Sequence, residues 1–180
     1  DGYDYFMLKE IDEEPAALRD TVLARIRDGL PSLEGELPLG FFRDVRKVNF
    51  TACGTALYAG MVGKALMERL ARLPAEAEAA SEQRYRAPVL GPDEAAVILS
   101  QSGETADSLA ALRMYKARGV PVVAIVNVVG SSIAREADYC LYTHAGPEIA
   151  VASTKAYSAQ IGLLYLLAIL AAREKGTDEA

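Results

Sequence analysis

The sequence predicts an α/β sandwich, a parallel sheet of five strands with helices on both faces. Three observations carry this reading. Candidate strands alternate with candidate helices from residue 47 to residue 174, as in a parallel sheet wrapped by right-handed crossovers. Two strands, "AAVIL" at 95–99 and "VPVVAIV" at 120–126, are unbroken apolar runs, as expected where both faces of a strand are buried. Four loops at strand ends, "TACGT" (51–55), "SQSGET" (100–105), "NVVGSS" (127–132) and "EIAVAST" (148–154), each close on Ser or Thr just before a helix.

Taken in order, "EEPAALRDTVLARIRDG" predicts a helix with Pro15 near its start and Gly29 past its end. Leu18, Val22, Ile26 and Leu30 fall at i, i+4 spacing and give it one apolar face. Tyr3, Tyr5 and Phe6 ahead of it read as packing residues. "PSLEGELPLG", with two prolines and two glycines, reads as a loop. "KVNFTA" (47–52) is the first strand, and a helix follows from about Leu57 to Leu73. "AEAEAA" (75–80) is a weak strand, and "SEQRYRAP" a turn or short helix. "AAVILS" is the third strand, and 105–118 a helix. After the strand at 120–126 come a loop with a short helix, "NVVGSSIAREA", and a fifth strand at 138–143. A ten-residue loop, "HAGPEIAVAS", leads into a terminal helix over 154–174.

Composition narrows the function classes. The chain has 180 residues, 51% hydrophobic and 24% charged, enough for one core without disulfide staples. The net charge of −6 and the lack of a basic block argue against nucleic acid, which is gripped mainly by Lys and Arg on phosphates. Cys53 and Cys140 form no CxxC; reduced thiols in a cytoplasmic protein are the expectation. One His and two distant Cys make a poor zinc set, and no metal or cofactor is expected. The longest apolar run, Ile161 to Ala172, is too short to cross a bilayer and suits a buried helix, so no membrane partner is expected. No signal peptide is visible. The chain begins at Asp1 rather than Met, as a piece of a longer protein would.

Ligands of such sheets bind beyond the carboxyl ends of the strands, where the four hydroxyl-rich loops converge. The second loop carries more hydroxyls than capping requires. Ser100 and Ser102 point the same way if the strand persists, and Ser102 and Thr105 share a face of the first helical turn. Gly103 lets backbone approach a ligand. Free N–H groups at a helix start, with the helix dipole, attract an anion. Hydroxyls add donors without adding charge, so the loop reads as a phosphate cup. For any one of the other loops, plain N-capping by Ser or Thr is the competing explanation. Glu104 is expected to point outward, favouring the dipole of the helix that follows.

Other motifs are missing. "CGTALYAG" lacks the GxGxxG spacing, and no GxxxxGK[ST] is present. "SQSGE" is not GxSxG. His144 reads as a surface or loop-packing residue, and Cys53 as a small buried one. Lys155 opens the last helix, an unfavourable end for a cation. It needs either a carboxylate partner or an exposed position.

"SQSGETADSLAALR", "NVVGSSIAREAD" and "THAGPEIAVASTKAYSAQ" closely resemble the first sugar isomerase (SIS) domain of the glutamine–fructose-6-phosphate aminotransferases (isomerizing), or glucosamine-6-phosphate synthases. "ACGTA", "ASEQRYR" and the leading "GYDYFMLKEIDEEP" fit the same family, and the resemblance runs from about residue 2 to 172. It implies a flavodoxin-like sheet. Residues 1–40 would be a linker and a helix packed on the domain, 41–176 one phosphosugar-binding SIS domain, and 177–180 a tail. It implies an enzyme that joins a glutaminase domain to two SIS domains and makes glucosamine 6-phosphate from fructose 6-phosphate and glutamine. By match, Ser100, Gln101, Ser102 and Thr105 hold the sugar phosphate, Thr55 contributes from the CGT loop, and Val151 and Ser153 line the sugar site.

The family's acid–base Glu, Schiff-base Lys and ring-opening His come from the second SIS domain, the C-terminal tail or a neighbouring subunit. No catalytic residue is assigned here, and this chain is expected to bind but not to catalyse. Three positions depart from the pattern: Ala56 replaces Ser or Thr, Gln83 replaces an aromatic residue, and Ala150 replaces Gly. A homodimer is expected, because the apolar faces of the first and last helices need cover. Two other readings compete. A regulatory phosphosugar sensor would need a recognition helix. A stand-alone isomerase would need its own base, Glu104 or Glu148.

Overall fold

The computed structural model describes residues 2–177. Helix α1 (Phe6–Leu23) is followed by a hairpin of β1 (Ile26–Arg27) and β2 (Leu30–Pro31). The main sheet uses β3 (Lys47–Ala52), β4 (Ala75–Ala79), β5 (Glu94–Ser100), β6 (Val122–Val126) and β7 (Tyr139–Tyr142). The intervening helices are α2 (Thr55–Leu70), α3 (Ala80–Gln83), α4 (Ala106–Ala117) and α5 (Ser132–Glu136), and α6 (Lys155–Lys175) closes the chain.

All five main strands are parallel, in the order β4-β3-β5-β6-β7. This is the flavodoxin-like order. The chain leaves β3 toward one edge and returns through β5 on the other side. The loops after β3 and β5 therefore diverge and leave a crevice at their carboxyl ends.

Burial explains the unbroken apolar runs. Along β5, Val97 and Leu99 face a core built with α2 and α6, while Ala96 and Ile98 face a second core built with α4 and α5. Every residue of β5 and β6 is buried, so neither strand alternates. Close approach of helices to sheet depends on missing side chains. A Cβ on Gly63 would lie 2.9 Å from both Leu164 and Phe50, and one on Gly162 would lie 2.6 Å from Leu18 of α1.

The N-terminal segment differs from expectation. Helix α1 begins at Phe6, not near Pro15, which lies inside the helix. Ile11 and Pro15 are both exposed, so the carbonyl left without an amide partner has access to solvent. Gly29 does not end a helix. Asp28 (φ 52°) and Gly29 (φ 78°) form the two-residue turn of the β1–β2 hairpin, and Ile26 and Leu30 belong to that hairpin rather than to a helical face. Arg25, 5% exposed, locks the hairpin region: its guanidinium donates to Glu36 and to the Tyr142 carbonyl at the end of β7. Tyr3, Tyr5 and Phe6 do not pack; they are 46%, 71% and 58% exposed.

Helix α6 is long and apolar enough to cross a membrane by length and composition, yet 67% of that stretch is buried against α1, α2 and the sheet. It is the central helix of the larger core. The expected tail, 177–180, lies outside the described residues apart from Thr177, whose hydroxyl donates to the Leu70 carbonyl.

Candidate functional site

The crevice between β3 and β5 is a cleft of about 230 Å³. Strand register sets it up: Ala52 pairs with Leu99, so Cys53 and Ser100 leave the sheet side by side. Thr55 and Ala56 enter from the start of α2, and Ser100, Gln101, Ser102 and Thr105 from the β5–α4 loop. Ser153 and Gln160 close it from the start of α6. All of these lining side chains are uncharged. The structure thus brings together six of the seven residues singled out by sequence. Val151 is fully exposed and lies outside the cleft.

Plain capping does not account for the hydroxyls. Helices α2, α4, α5 and α6 start at Gly54, Thr105, Ser131 and Thr154, and none of these makes a side-chain cap hydrogen bond. Instead the β5–α4 loop folds on itself. Ser100 Oγ accepts from Gly103 N–H at 3.0 Å and pairs with Thr105 Oγ1 at 3.1 Å, and Ser102 Oγ accepts from Glu104 N–H at 3.2 Å. An accepted hydrogen bond leaves the Ser102 O–H free to donate into the cleft. The amino ends of α2 and α4 flank the same space, so their first-turn N–H groups and dipoles favour negative charge there.

Glu104 does not simply point outward. Its carboxylate accepts from Ser132 N–H at 2.7 Å, capping α5, and that bond holds its carboxyl below the usual carboxylate range. The charge is therefore directed away from the cleft. Glu148 is similarly committed: one oxygen accepts from Thr154 and Ala156 N–H, at 2.9 and 3.2 Å, and the other from Ser153 Oγ at 3.2 Å. With its hydrogen on Glu148, Ser153 presents lone pairs to the cleft. Neither glutamate lines the cleft; Glu148 instead borders the neighbouring open groove with Gln101 and Asn127.

The loop that carries Ser153 is clasped by α1. Glu10, 2% exposed, accepts from the N–H groups of Ile149 and Ala150, the shortest contact being 2.6 Å. Glu14 accepts from Ser158 Oγ, and Thr21 Oγ1 accepts from the N–H of exposed His144. Lys155 takes the carboxylate partner rather than an exposed position: it is 3% exposed, and its Nζ donates to Glu13 at 2.6 Å. The clasp was not foreseen in the sequence, although Glu10, Glu13 and Glu14 at helical spacing were its visible trace.

The Lys155 ammonium holds the Glu13 carboxyl below its ordinary value of 4.5. A folded value below the unfolded one gives stability that is fully present above the unfolded value and lost as pH falls through the folded value. The urea midpoints of wild type and Glu13→Gln are therefore expected to differ at pH 6, and the difference to shrink as pH falls below 4.5 and through the lowered folded value. A gap that does not shrink, or that widens, as acid is added would contradict this account of the pair.

Cys53 is half-buried: it packs against the second core and also forms part of the cleft wall, and both cysteines are free thiols. Gln83 lies outside the cleft; its amide donates to the Tyr115 hydroxyl at 2.6 Å, which also contacts Thr51 at 3.2 Å. Larger hollows exist, one of about 430 Å³ between the hairpin and the end of α6. That one lies at the amino edge of the sheet, away from the hydroxyl-rich loops.

Comparison with known proteins agrees with this geometry. The SIS domain family matches residues 41–170. Glutamine–fructose-6-phosphate aminotransferase (isomerizing) of Clostridium tetani is 53% identical over 178 residues, covering 98% of this chain and 29% of the relative. The enzyme of the same name from Symbiobacterium thermophilum is 56% identical, covering 97% and 29%. The C-terminal domain of glucosamine-fructose-6-phosphate aminotransferase from Francisella tularensis superposes with a TM-score of 0.93 at 41% identity, covering 98% of this chain and 50% of that one. The chain thus spans under a third of the length of the curated relatives it matches. A five-stranded parallel sheet in flavodoxin-like order and a family match over most of its length make this chain a member of the SIS domain family.

Proposed function

We propose that the cleft binds the phosphate of a sugar phosphate, fructose 6-phosphate or glucosamine 6-phosphate. The chain would serve as the substrate-phosphate half of an enzyme that makes glucosamine 6-phosphate from fructose 6-phosphate and glutamine. The observation that carries this reading is the combination of five hydroxyls, two uncapped helix starts and no charged side chain in one cleft. Such a site holds a single anion without becoming a general polyanion binder.

Ser100, Gln101, Ser102, Thr105 and Thr55 would contact the phosphate end, and Ser153, offering lone pairs, would accept from a sugar hydroxyl. Val151, standing outside the cleft, would reach the sugar from its rim. In this reading residues 1–40 are linker and packing helix, and 41–176 the binding domain. A glutaminase domain, a second SIS domain and a second subunit supply the remaining chemistry, and the assembly works as a cytoplasmic homodimer. No carboxylate faces the cleft among the described residues, which supports binding without catalysis by this chain alone.

About four hydrogen bonds to a charged phosphate contribute roughly 6–12 kcal/mol. Lost freedom and side-chain ordering offset several of those. The expected dissociation constant is about 10 μM to 1 mM. Calorimetric titration with fructose 6-phosphate should show binding in this range, fructose should show none, and Ser102→Ala should weaken binding about tenfold or more. Equal binding of fructose and its phosphate would refute the reading.

A further inference from the structure

Gln160 sits on the second turn of α6, is 3% exposed, and lines the cleft. Among the described residues, no hydrogen bond reaches its amide. This sets it apart from the chain's other long buried polar side chains. Glu10, Arg25, Asn49 and Lys155 all have partners. A buried amide carries two N–H donors and a carbonyl acceptor, and native proteins seldom leave such groups unpaired. The Ser131 hydroxyl and the Gln83 carbonyl, also unpaired, are closed off from solvent, whereas Gln160 opens onto the cleft. Its partner must therefore come from whatever fills that space.

The neighbouring groups say what this partner is. Ser153 has given its hydrogen to Glu148, and Ser100 Oγ is occupied by Gly103 N–H and Thr105. Ala56, on the α2 side, presents only a methyl group. A phosphorylated ligand rich in acceptor oxygens would meet few free donors on that side without Gln160. An amide supplies the missing donor with no charge, in keeping with the rest of the cleft. We propose that Gln160 is a further ligand-contacting residue, its amide N–H donating to an oxygen of the bound sugar phosphate. This role rests on the reading of the cleft given above.

The test is a calorimetric titration of fructose 6-phosphate into wild type, Gln160→Met and Ser102→Ala, with a thermal melt of each. Methionine keeps the length of the side chain and removes its polar atoms. Q160M is expected to bind about tenfold or more weakly. Its melting temperature should be unchanged or raised, because an unpaired buried amide gives way to an apolar group. Unchanged affinity in Q160M, with binding lost in S102A, would overturn the role of Gln160 and leave the phosphate cleft standing. No binding by wild type would overturn both. Should Q160M melt lower or fail to fold, Gln160→Glu decides: a carboxylate of the same length should abolish binding by like charge, and unchanged affinity would overturn the proposal.

Discussion

Replacing Gly103 by alanine is expected to destabilise the chain by about 2–5 kcal/mol and to abolish sugar phosphate binding. Gly103 has φ +67°, and a Cβ built there would stand 2.0 Å from Ser131 Oγ and 2.5 Å from Ser131 Cβ. Left-handed backbone costs a non-glycine residue roughly 1–2 kcal/mol, and overpacking adds about 1–3 kcal/mol. Ser131 cannot step aside, because it is 3% exposed and its hydroxyl is enclosed at the start of α5. Movement of the loop would instead break the bond from Ile133 N–H to the Gly103 carbonyl, and with it the placement of Ser100, Ser102 and Thr105. Urea denaturation and the sugar phosphate titration read both effects. A stability loss under about 1 kcal/mol with retained binding would contradict the described loop.

Glu10→Ala is expected to cost about 1.5–3 kcal/mol, because it leaves the N–H groups of Ile149 and Ala150 without their acceptor. The lower part of the range is favoured by the exposure of Ile149, which lets water replace part of the loss. The distinctive readout is local. Amide exchange at 149 and 150 should accelerate far more than exchange in β5 or β6, since the clasp holds a loop and not the sheet. Affinity for the sugar phosphate should also fall, through Ser153, which rides on the same loop. Uniform acceleration across the sheet would mean that Glu10 supports the whole fold rather than the loop.

The sheet was legible because its signal is redundant. Continuous apolar runs, the strand–helix alternation and the hydroxyl-closed loops all point to one architecture, and β5 and β6 sit where they were expected. Even the weak "AEAEAA" segment forms β4 as an edge strand, where partial exposure suits its glutamates. The N-terminal helix was misread because local cues were given the wrong tertiary meaning. Pro15 is tolerated inside α1 on an exposed face. Asp28-Gly29 is a hairpin turn, although Gly29 equally fits a helix stop, and two-residue strands leave no periodicity to announce them.

The cleft divides in the same way. Ser100, Ser102 and Thr105 are near neighbours in the chain, so their convergence follows from one loop. Gln160 and the α1 clasp depend on the rotational phase of α6 and on how closely α1 approaches it at Gly162, and neither is written in a local pattern. Glu104 shows how a charge that looks wrong for an anion site is made harmless by a partner 28 residues away.

The central claim is tested most directly by a crystal structure of this chain with fructose 6-phosphate. The account predicts the phosphate between the starts of α2 and α4, its oxygens about 3 Å from the hydroxyls of Ser102 and Thr105 and from the Gln160 amide. A phosphate seated elsewhere, such as the open groove beside Asn127 and His144, with the cleft left empty, would contradict it.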